Sequence, residues 1–151
     1  MLQIKRVLVP IDFGPASDAA IDEAAALASA LEAELTILHV YESPVWAYPV
    51  LPYAPMVDIS AELARAAHTA MDATVRRLKE RLPSVEGVVR QGSAWRHIND
   101  VAQAISADLI VLGTHGRQGA PRALIGSVAE KVVRTSPVPV LTVHARPTAT
   151  S

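Results

Sequence analysis

Apolar segments of strand length alternate with helix-like segments along most of this sequence, and the alternation restricts the fold more than any other feature. The strand candidates are rich in Val, Leu and Ile, whereas the helix candidates repeat apolar residues every three or four positions. Strands joined through helices run parallel, with right-handed crossovers and helices on both faces of the sheet. We therefore predict an α/β fold with a five-stranded, mostly parallel sheet. The predicted strands cover residues 7–11, 35–40, 85–91, 109–112 and 137–143.

Length and composition indicate one domain and exclude several classes of partner. A chain of 151 residues, half of them hydrophobic, can bury one substantial core. The formal net charge of -1 carries no overall footprint for nucleic acid or an anionic membrane, and no apolar run has membrane-spanning length. No signal peptide is recognised at the N-terminus, so we expect a cytoplasmic protein. Residues 1–144 are expected to form the domain and residues 145–151 a flexible C-terminal tail.

Several helix boundaries can be predicted from local chemistry. Ser17 is predicted to cap the first helix, and Pro83 to end a second helix that covers residues 58–82. Ser93 is predicted to cap the third helix. In the fourth helix, Ser127 and Glu130 have the spacing of a capping box, although the Ser127 hydroxyl could contact a phosphate instead.

The two most apolar strands, the first and the fourth, are expected in the middle of the sheet. If they are neighbours, the strand order reverses between them, and ligands of such sheets bind beyond the carboxyl ends of the strands at that reversal. Asp12 and Gly113 would then face one crevice, with Val40 at the end of an adjacent strand. Asp12 has a second interpretation, since a carboxylate just past a strand can simply cap the following turn.

The segment from Leu109 to Glu130 passes from a strand through a glycine-bearing loop into a helix. Glycines and a first helical turn expose backbone N–H groups, which makes this junction a candidate phosphate site. The glycines that carry the argument are Gly113, Gly116 and Gly126, and the candidate phosphate partners among the basic residues are Arg117 and Arg122.

The loop does not fit the two commonest glycine-rich nucleotide motifs. No Lys-Ser or Lys-Thr pair follows its glycines, so it is not a P-loop, and the GxxGxxG spacing of Gly113, Gly116 and Gly119 is not the dinucleotide fingerprint. His115 has no identified orienting partner that would indicate a catalytic base.

The motif Gly113-x-x-Gly116, followed after nine residues by Gly126-Ser127, resembles the nucleotide-binding signature of the universal stress protein family, in its ATP-binding branch. The resemblance extends to the segments VLVPIDFG, LTILHV, ADLIVLGTHGR, GSVAEKVV and SPVPVLTV, in the family's order. It implies a Rossmann-like fold of the adenine nucleotide alpha hydrolase type, with strand order 3-2-1-4-5 and ATP between the first and fourth strands.

The resemblance also implies the residues that would bind ATP. Those around the adenine and ribose would be Pro10, Ile11, Asp12 and Val40. Those that hold ribose and phosphates would be Gly113, His115, Gly116, Arg117, Gly126, Ser127 and Val128. A divalent cation, Mg²⁺ or Mn²⁺, would accompany the phosphates. The resemblance further implies a homodimer formed through the last strand, Val138 to Val143.

Three functional hypotheses follow. The first is an ATP-binding regulatory protein of the stress response without dedicated catalysis. The second is slow, metal-dependent hydrolysis of ATP with Asp12 positioning water. The third is a nucleotide-free interaction module that would use the proline-rich loop at residues 41–57, with Trp46, Tyr48 and Tyr53, and the edge of the last strand.

Overall fold

The computed structural model describes residues 2–42, 59–114 and 125–145. Strands and helices alternate along these segments, as the sequence predicts. The elements are β1 (Arg6–Ile11), α1 (Pro15–Leu31), β2 (Glu34–Tyr41), α2 (Ile59–Lys79), β3 (Val85–Gln91), α3 (Ala94–Ala104), β4 (Leu109–Gly113), α4 (Ser127–Thr135) and β5 (Val140–Val143).

The five strands form one parallel sheet in the order β3-β2-β1-β4-β5. The predicted α/β class, the strand order and the central position of the first and fourth strands are therefore confirmed. The polar strand β3 lies at one edge, where a strand tolerates water on its outer side.

The strand order reverses between β1 and β4, and their pairing is short. Its register comprises Val7 with Leu109 and Leu8 with Ile110. Farther along, β1 continues beside β2 up to Ile11, whereas β4 continues beside β5 up to Gly113. The two central strands therefore end beside different neighbours, which leaves a crevice between their carboxyl ends, as expected at a topological switch point.

Helices cover both faces of the sheet and produce two core layers. One layer lies under α1 and α2 and includes Val7, Val9 and Ile37. The other lies under α3 and α4 and includes Leu8 and Ile110. Adjacent residues of β1 enter opposite layers because side chains alternate along a strand, which explains the continuous apolar run.

The structure corrects two predicted helix caps. Gly14, not Ser17, is the N-cap of α1, and Pro15 occupies its first turn. Ser17 lies inside the helix and is buried, with its hydroxyl bonded to Asp12. Gly126, not Ser127, is the N-cap of α4, and no side-chain cap bond forms there. The capping box with Glu130 is therefore wrong, since Ser127 is one residue too far into the helix.

Two element boundaries also differ from the prediction. Helix α2 ends at Lys79, although the side chain of Leu82 is buried as its apolar pattern suggested. Strand β5 begins at Val140 because Pro139 has no N–H group to contribute to the sheet, although its carbonyl accepts a bond from Ile110. Within the described parts of the chain, none of the helices is sufficiently long and apolar to cross a membrane.

Candidate functional site

A cavity lies at the carboxyl ends of β1, β2 and β4, bounded on its other side by the N-terminal turns of α3 and α4. All of the predicted binding residues that the structure describes line this one cavity. They are Pro10, Ile11, Asp12, Val40, Gly113, Gly126, Ser127 and Val128. Segments more than a hundred positions apart in the sequence thus meet at the crevice that the strand order creates.

The remaining predicted residues, His115, Gly116 and Arg117, lie outside the described residues, as does Arg122. Residues 43–57 of the proline-rich loop also fall outside, so the interaction surface predicted there has no structural test.

The turn between β1 and α1 is organised around the Asp12 carboxylate. Its Oδ1 atom accepts a 2.8 Å bond from the N–H of Gly14 and a 2.7 Å bond from the Ser17 hydroxyl. The Ser17 hydroxyl oxygen in turn accepts a 2.9 Å bond from the N–H of Asp12. Asp12 therefore does cap the following turn, and it does so while lining the cavity. The two interpretations of Asp12 are compatible.

Phe13 has a backbone φ of 61°, a left-handed conformation that is uncommon for a bulky side chain. Its ring packs on the His39 ring with centroids 4.6 Å apart. Nδ1 of His39 lies 2.8 Å from the carbonyl oxygen of Ile11. Because a carbonyl can only accept, Nδ1 carries the hydrogen. His39 therefore supports the β1–α1 turn from the face of the sheet that carries α1 and α2.

Gly113 is required by the packing of α1 against the end of β4. A Cβ atom placed on Gly113 would lie 2.7 Å from both the carbonyl carbon and the carbonyl oxygen of Ala16. Any side chain at position 113 would push the start of α1 away from β4. The glycine that the sequence marks as part of a phosphate loop thus has a structural role of its own, in the close packing of α1 on the end of β4.

The N-terminus of α4 contributes backbone donors to the cavity. The N–H of its N-cap, Gly126, donates to the carbonyl of Thr114. The next three N–H groups, of Ser127, Val128 and Ala129, have no partner within the helix, as in the first turn of any α-helix. All three residues line the cavity. Helix dipole and N–H groups together make this wall attractive to an anion.

Gly126 itself has φ −62° and ψ 155°, values that any residue can adopt. Its glycine is therefore not explained by backbone conformation. The absence of a side chain beside the N–H groups of α4 leaves room for a ligand to approach the backbone.

Sequence reasoning missed several lining residues. Leu38, Ala94, Ile98 and Leu112 form an apolar part of the wall, and Ser17, Thr114 and Ala129 complete it. No sequence pattern marks the apolar members as part of a site, because hydrophobic periodicity does not distinguish a core position from a cavity wall. Thr114 stands between two predicted site residues, and that position was the available signal.

Charged side chains of both signs lie in or near the cavity. Asp12 is the one carboxylate among the described lining residues, and no cluster of three metal-binding side chains occurs within the described ranges. One turn along α4 from Ser127, the ammonium of Lys131 lies 4.8 Å from the ring centroid of Trp95 on α3. This contact joins the two helices that bound the cavity.

Comparison with known proteins gives a consistent result. A sequence model of the universal stress protein family matches residues 3–144. The chain is 33% identical to universal stress protein A homolog 1 of Coxiella burnetii, over 94% of this chain and 97% of that protein. Its structure is similar to that of the universal stress protein UspA from Lactobacillus plantarum, with a TM-score of 0.78, 29% identity, and 93% and 98% of the two chains covered.

It is also similar to a universal stress protein crystallised in complex with cAMP, with a TM-score of 0.66 and 25% identity, over 95% of this chain and 99% of that one. Family match, sequence relatives and fold agree along nearly the whole length of the chain, which therefore belongs to the universal stress protein family.

Proposed function

We propose that this protein is an ATP-binding regulatory module that holds the nucleotide in the crevice between β1 and β4. The observation that carries the proposal is the convergence of residues from β1, β2, β4 and α4 on one cavity at the topological switch point. Ligands of open α/β sheets bind at this place because the neighbouring loops diverge there.

Each wall of the cavity matches one part of the nucleotide. Apolar residues such as Val40, Leu38 and Ile98 give a surface on which a base can be buried. On the opposite side, the first turn of α4 presents the N–H groups of Ser127, Val128 and Ala129, which suit phosphate oxygens. A ligand with an apolar planar end and an anionic end fits this division.

The donor set is compatible with a divalent cation bound mainly through phosphates. Mg²⁺ prefers oxygen ligands, and in nucleotide sites it is commonly held by one or two carboxylates together with the phosphates. Asp12 provides the carboxylate, and the hydroxyl of Ser127 is an oxygen donor in the α4 wall. Such an ion would offset the negative charge of the phosphates near Asp12.

The relative in complex with cAMP supports the adenine nucleotide class. We infer that this chain binds the same class of ligand. ATP, rather than cAMP, is our choice because the sequence signature resembles that of the ATP-binding branch, and because the loop at residues 115–124 carries Arg117 and Arg122.

We also propose that the protein acts as a homodimer through its last strand, Val138 to Val143. Strand β5 lies at the edge of the sheet and exposes 40% of Leu141. An edge strand has backbone groups that a second strand can pair with. An apolar side chain on that edge would be buried by such pairing.

The direct test is to denature freshly purified protein and identify any released nucleotide by chromatography and mass spectrometry, then to titrate nucleotide-free protein with ATP. We expect adenine nucleotide in one or both experiments. If neither copurified nor added ATP binds, the proposal is wrong.

A charge substitution makes the test specific to the α4 wall. Ser127→Asp adds a carboxylate in the first turn of α4, where helix electrostatics tolerate it, so the fold should remain intact. The same charge should repel phosphates and abolish ATP binding. Ser127→Asn, a neutral side chain of similar shape, should bind ATP more tightly than Ser127→Asp.

Val133→Asp, at a half-exposed position in the second half of α4, adds the same charge away from the cavity and should leave ATP binding unchanged. Equal loss in Ser127→Asp and Val133→Asp would show that the α4 wall is not the phosphate site.

A further inference from the structure

Hydrogen bonds of Thr114 link the end of β5 to the start of α4. This residue follows Gly113 directly and is only 2% exposed. Its N–H donates a 3.0 Å bond to the carbonyl of Val143, and its own carbonyl accepts a bond from the N–H of Gly126. Its hydroxyl oxygen lies 2.9 Å from Nδ1 of His144, within hydrogen-bond distance. The N–H, carbonyl and hydroxyl groups of Thr114 thus all have partners, either at the end of β5 or at the start of α4.

These bonds define the separation of the two ends of the glycine-bearing loop. Thr114 is the last described residue before the loop, and Gly126 is the N-cap of the helix that follows it. The backbone bond between Thr114 and Gly126 sets where α4 begins relative to β4. Val143 and His144 hold Thr114 from the side of β5 and so fix this arrangement from outside the cavity.

We propose that His144 is a positioning residue of the nucleotide site, which acts through Thr114. His144 is exposed and is not among the residues that line the cavity, so it would not touch the ligand. The hydrogen bond to its imidazole keeps Thr114 in the conformation in which the Thr114 carbonyl accepts a hydrogen bond from the N–H of Gly126. The first turn of α4 then presents its N–H groups to the phosphates. This inference rests on the proposed function.

The geometry explains why a histidine suits this position. The hydroxyl of Thr114 and Nδ1 of His144 can exchange donor and acceptor roles, so either neutral tautomer of the ring keeps the bond. An almost fully buried hydroxyl that lost its partner would be unsatisfied, and such a group is expensive to keep in place. Thr114 would then rotate or shift, and Gly126 would shift with it.

Point variants of the full chain test the proposal. His144→Ala should weaken ATP affinity roughly two- to tenfold, the range associated with one hydrogen bond. His144→Asn places its Oδ1 and Nδ2 atoms at the same distance along the side chain as Nδ1 of histidine, so it should restore at least half of the lost binding free energy. His68→Ala removes an exposed histidine from α2 and should bind ATP as the unmutated protein does.

Hydrogen exchange gives a readout that does not need nucleotide. In ligand-free His144→Ala, the amides of Gly126 and Glu130 should exchange faster, since they bond to Thr114 and to Gly126 respectively. Amides in the middle of α1 should keep their rates. A general loss of stability would instead accelerate both sets of amides, and that result would overturn the proposal.

Thr114→Ser and Thr114→Val extend the comparison. Serine keeps the hydroxyl and should retain ATP affinity better than valine does. In the double variant Thr114→Val, His144→Ala, the affinity loss should be smaller than the product of the two single losses, because both remove the same bond. The proposal would be overturned if the affinity loss of the double variant equalled the product of the two single losses, or if His144→Ala left the affinity unchanged. If the unmutated protein binds no ATP, the proposed function fails, and the exchange rates alone decide whether His144 positions α4.

Discussion

The hydroxyl of Ser17 donates a 2.7 Å hydrogen bond to Oδ1 of Asp12 and accepts a 2.9 Å bond from the N–H of the same residue. A side chain in the first turns of α1 thereby holds a carboxylate at the end of β1, in the wall of the candidate nucleotide site. Any role of Asp12 in ligand binding therefore depends on the two hydrogen bonds with Ser17.

Ser17→Ala should destabilise the protein and weaken nucleotide binding together. The substitution removes both bonds and leaves the partly buried N–H of Asp12 without this acceptor, which we expect to lower the free energy of unfolding by about 1–3 kcal/mol. Urea denaturation measures this change. Ser29→Ala on the exposed side of the same helix is the matched control and should stay within about 0.5 kcal/mol of the unmutated protein. Equal effects of the two substitutions would contradict the role assigned to Ser17.

Gly113→Ala should be more damaging than Gly87→Ala, although both new Cβ atoms would have a nearest neighbour at 2.7 Å. At position 113 the neighbour is the backbone of Ala16, which cannot yield without moving α1, so we expect a loss of roughly 1–3 kcal/mol. At position 87 the close atoms belong to the side chains of Met71 and Val75, and methionine adapts easily. Denaturation midpoints of the two variants compare them directly. A greater loss for Gly87→Ala would show that the close approach of Ala16 does not make Gly113 the more demanding position.

Asp12→Asn should reduce the contribution of divalent cations to ATP binding while preserving the fold. The amide keeps an oxygen that can accept from Gly14 and Ser17 but loses the negative charge. In the unmutated protein, EDTA should weaken ATP binding. In Asp12→Asn, titration calorimetry with and without Mg²⁺ should show a smaller difference. Asp18→Asn, an exposed carboxylate in the first turn of α1, should behave like the unmutated protein.

Leu141→Lys should shift the protein from dimer to monomer, because the charged side chain would lie in the proposed interface at β5. Light scattering coupled to gel filtration gives the mass of each species. The control is Leu31→Lys, at a leucine on the end of α1 that is 39% exposed against 40% for Leu141. A monomeric unmutated protein, or dimers in both variants, would contradict the interface.

Much of the fold could be predicted because the decisive signals are local and repeated. Alternation of apolar runs with helical patterns determines the parallel sheet, and the two most apolar strands indicate its centre, which the structure confirms for β1 and β4. That topology also accounts for the presence of Asp12 and Gly113 in the lining of one cavity.

The details that were missed depend on contacts between distant residues. Ser17 is a residue type that often caps helices, but α1 begins earlier, at Gly14 and Pro15. The Ser17 hydroxyl therefore bonds to Asp12 instead of capping the helix. Ser127 is not the N-cap of α4 for a similar reason, because Gly126 occupies the N-cap position. The structural need for Gly113 depends on the approach of Ala16. No pattern within either segment reports such a contact.

The proposed role of His144 has no signal in the sequence, where this residue is only the last one of the predicted domain. Its contact with Thr114 spans 30 positions and joins the ends of two strands that pair side by side. Only the register of β4 with β5 brings the two residues together.

Binding of ATP in the crevice between β1 and β4 is measured most directly by titrating ¹⁵N-labelled protein with Mg²⁺-ATP and following the amide signals by two-dimensional NMR. We predict saturable shifts of the amides of Asp12, Val40, Gly113 and Ser127, with those of β3 and the middle of α2 unchanged. Absence of shifts at saturating ATP, or shifts confined to residues away from the crevice, would show that ATP does not bind there.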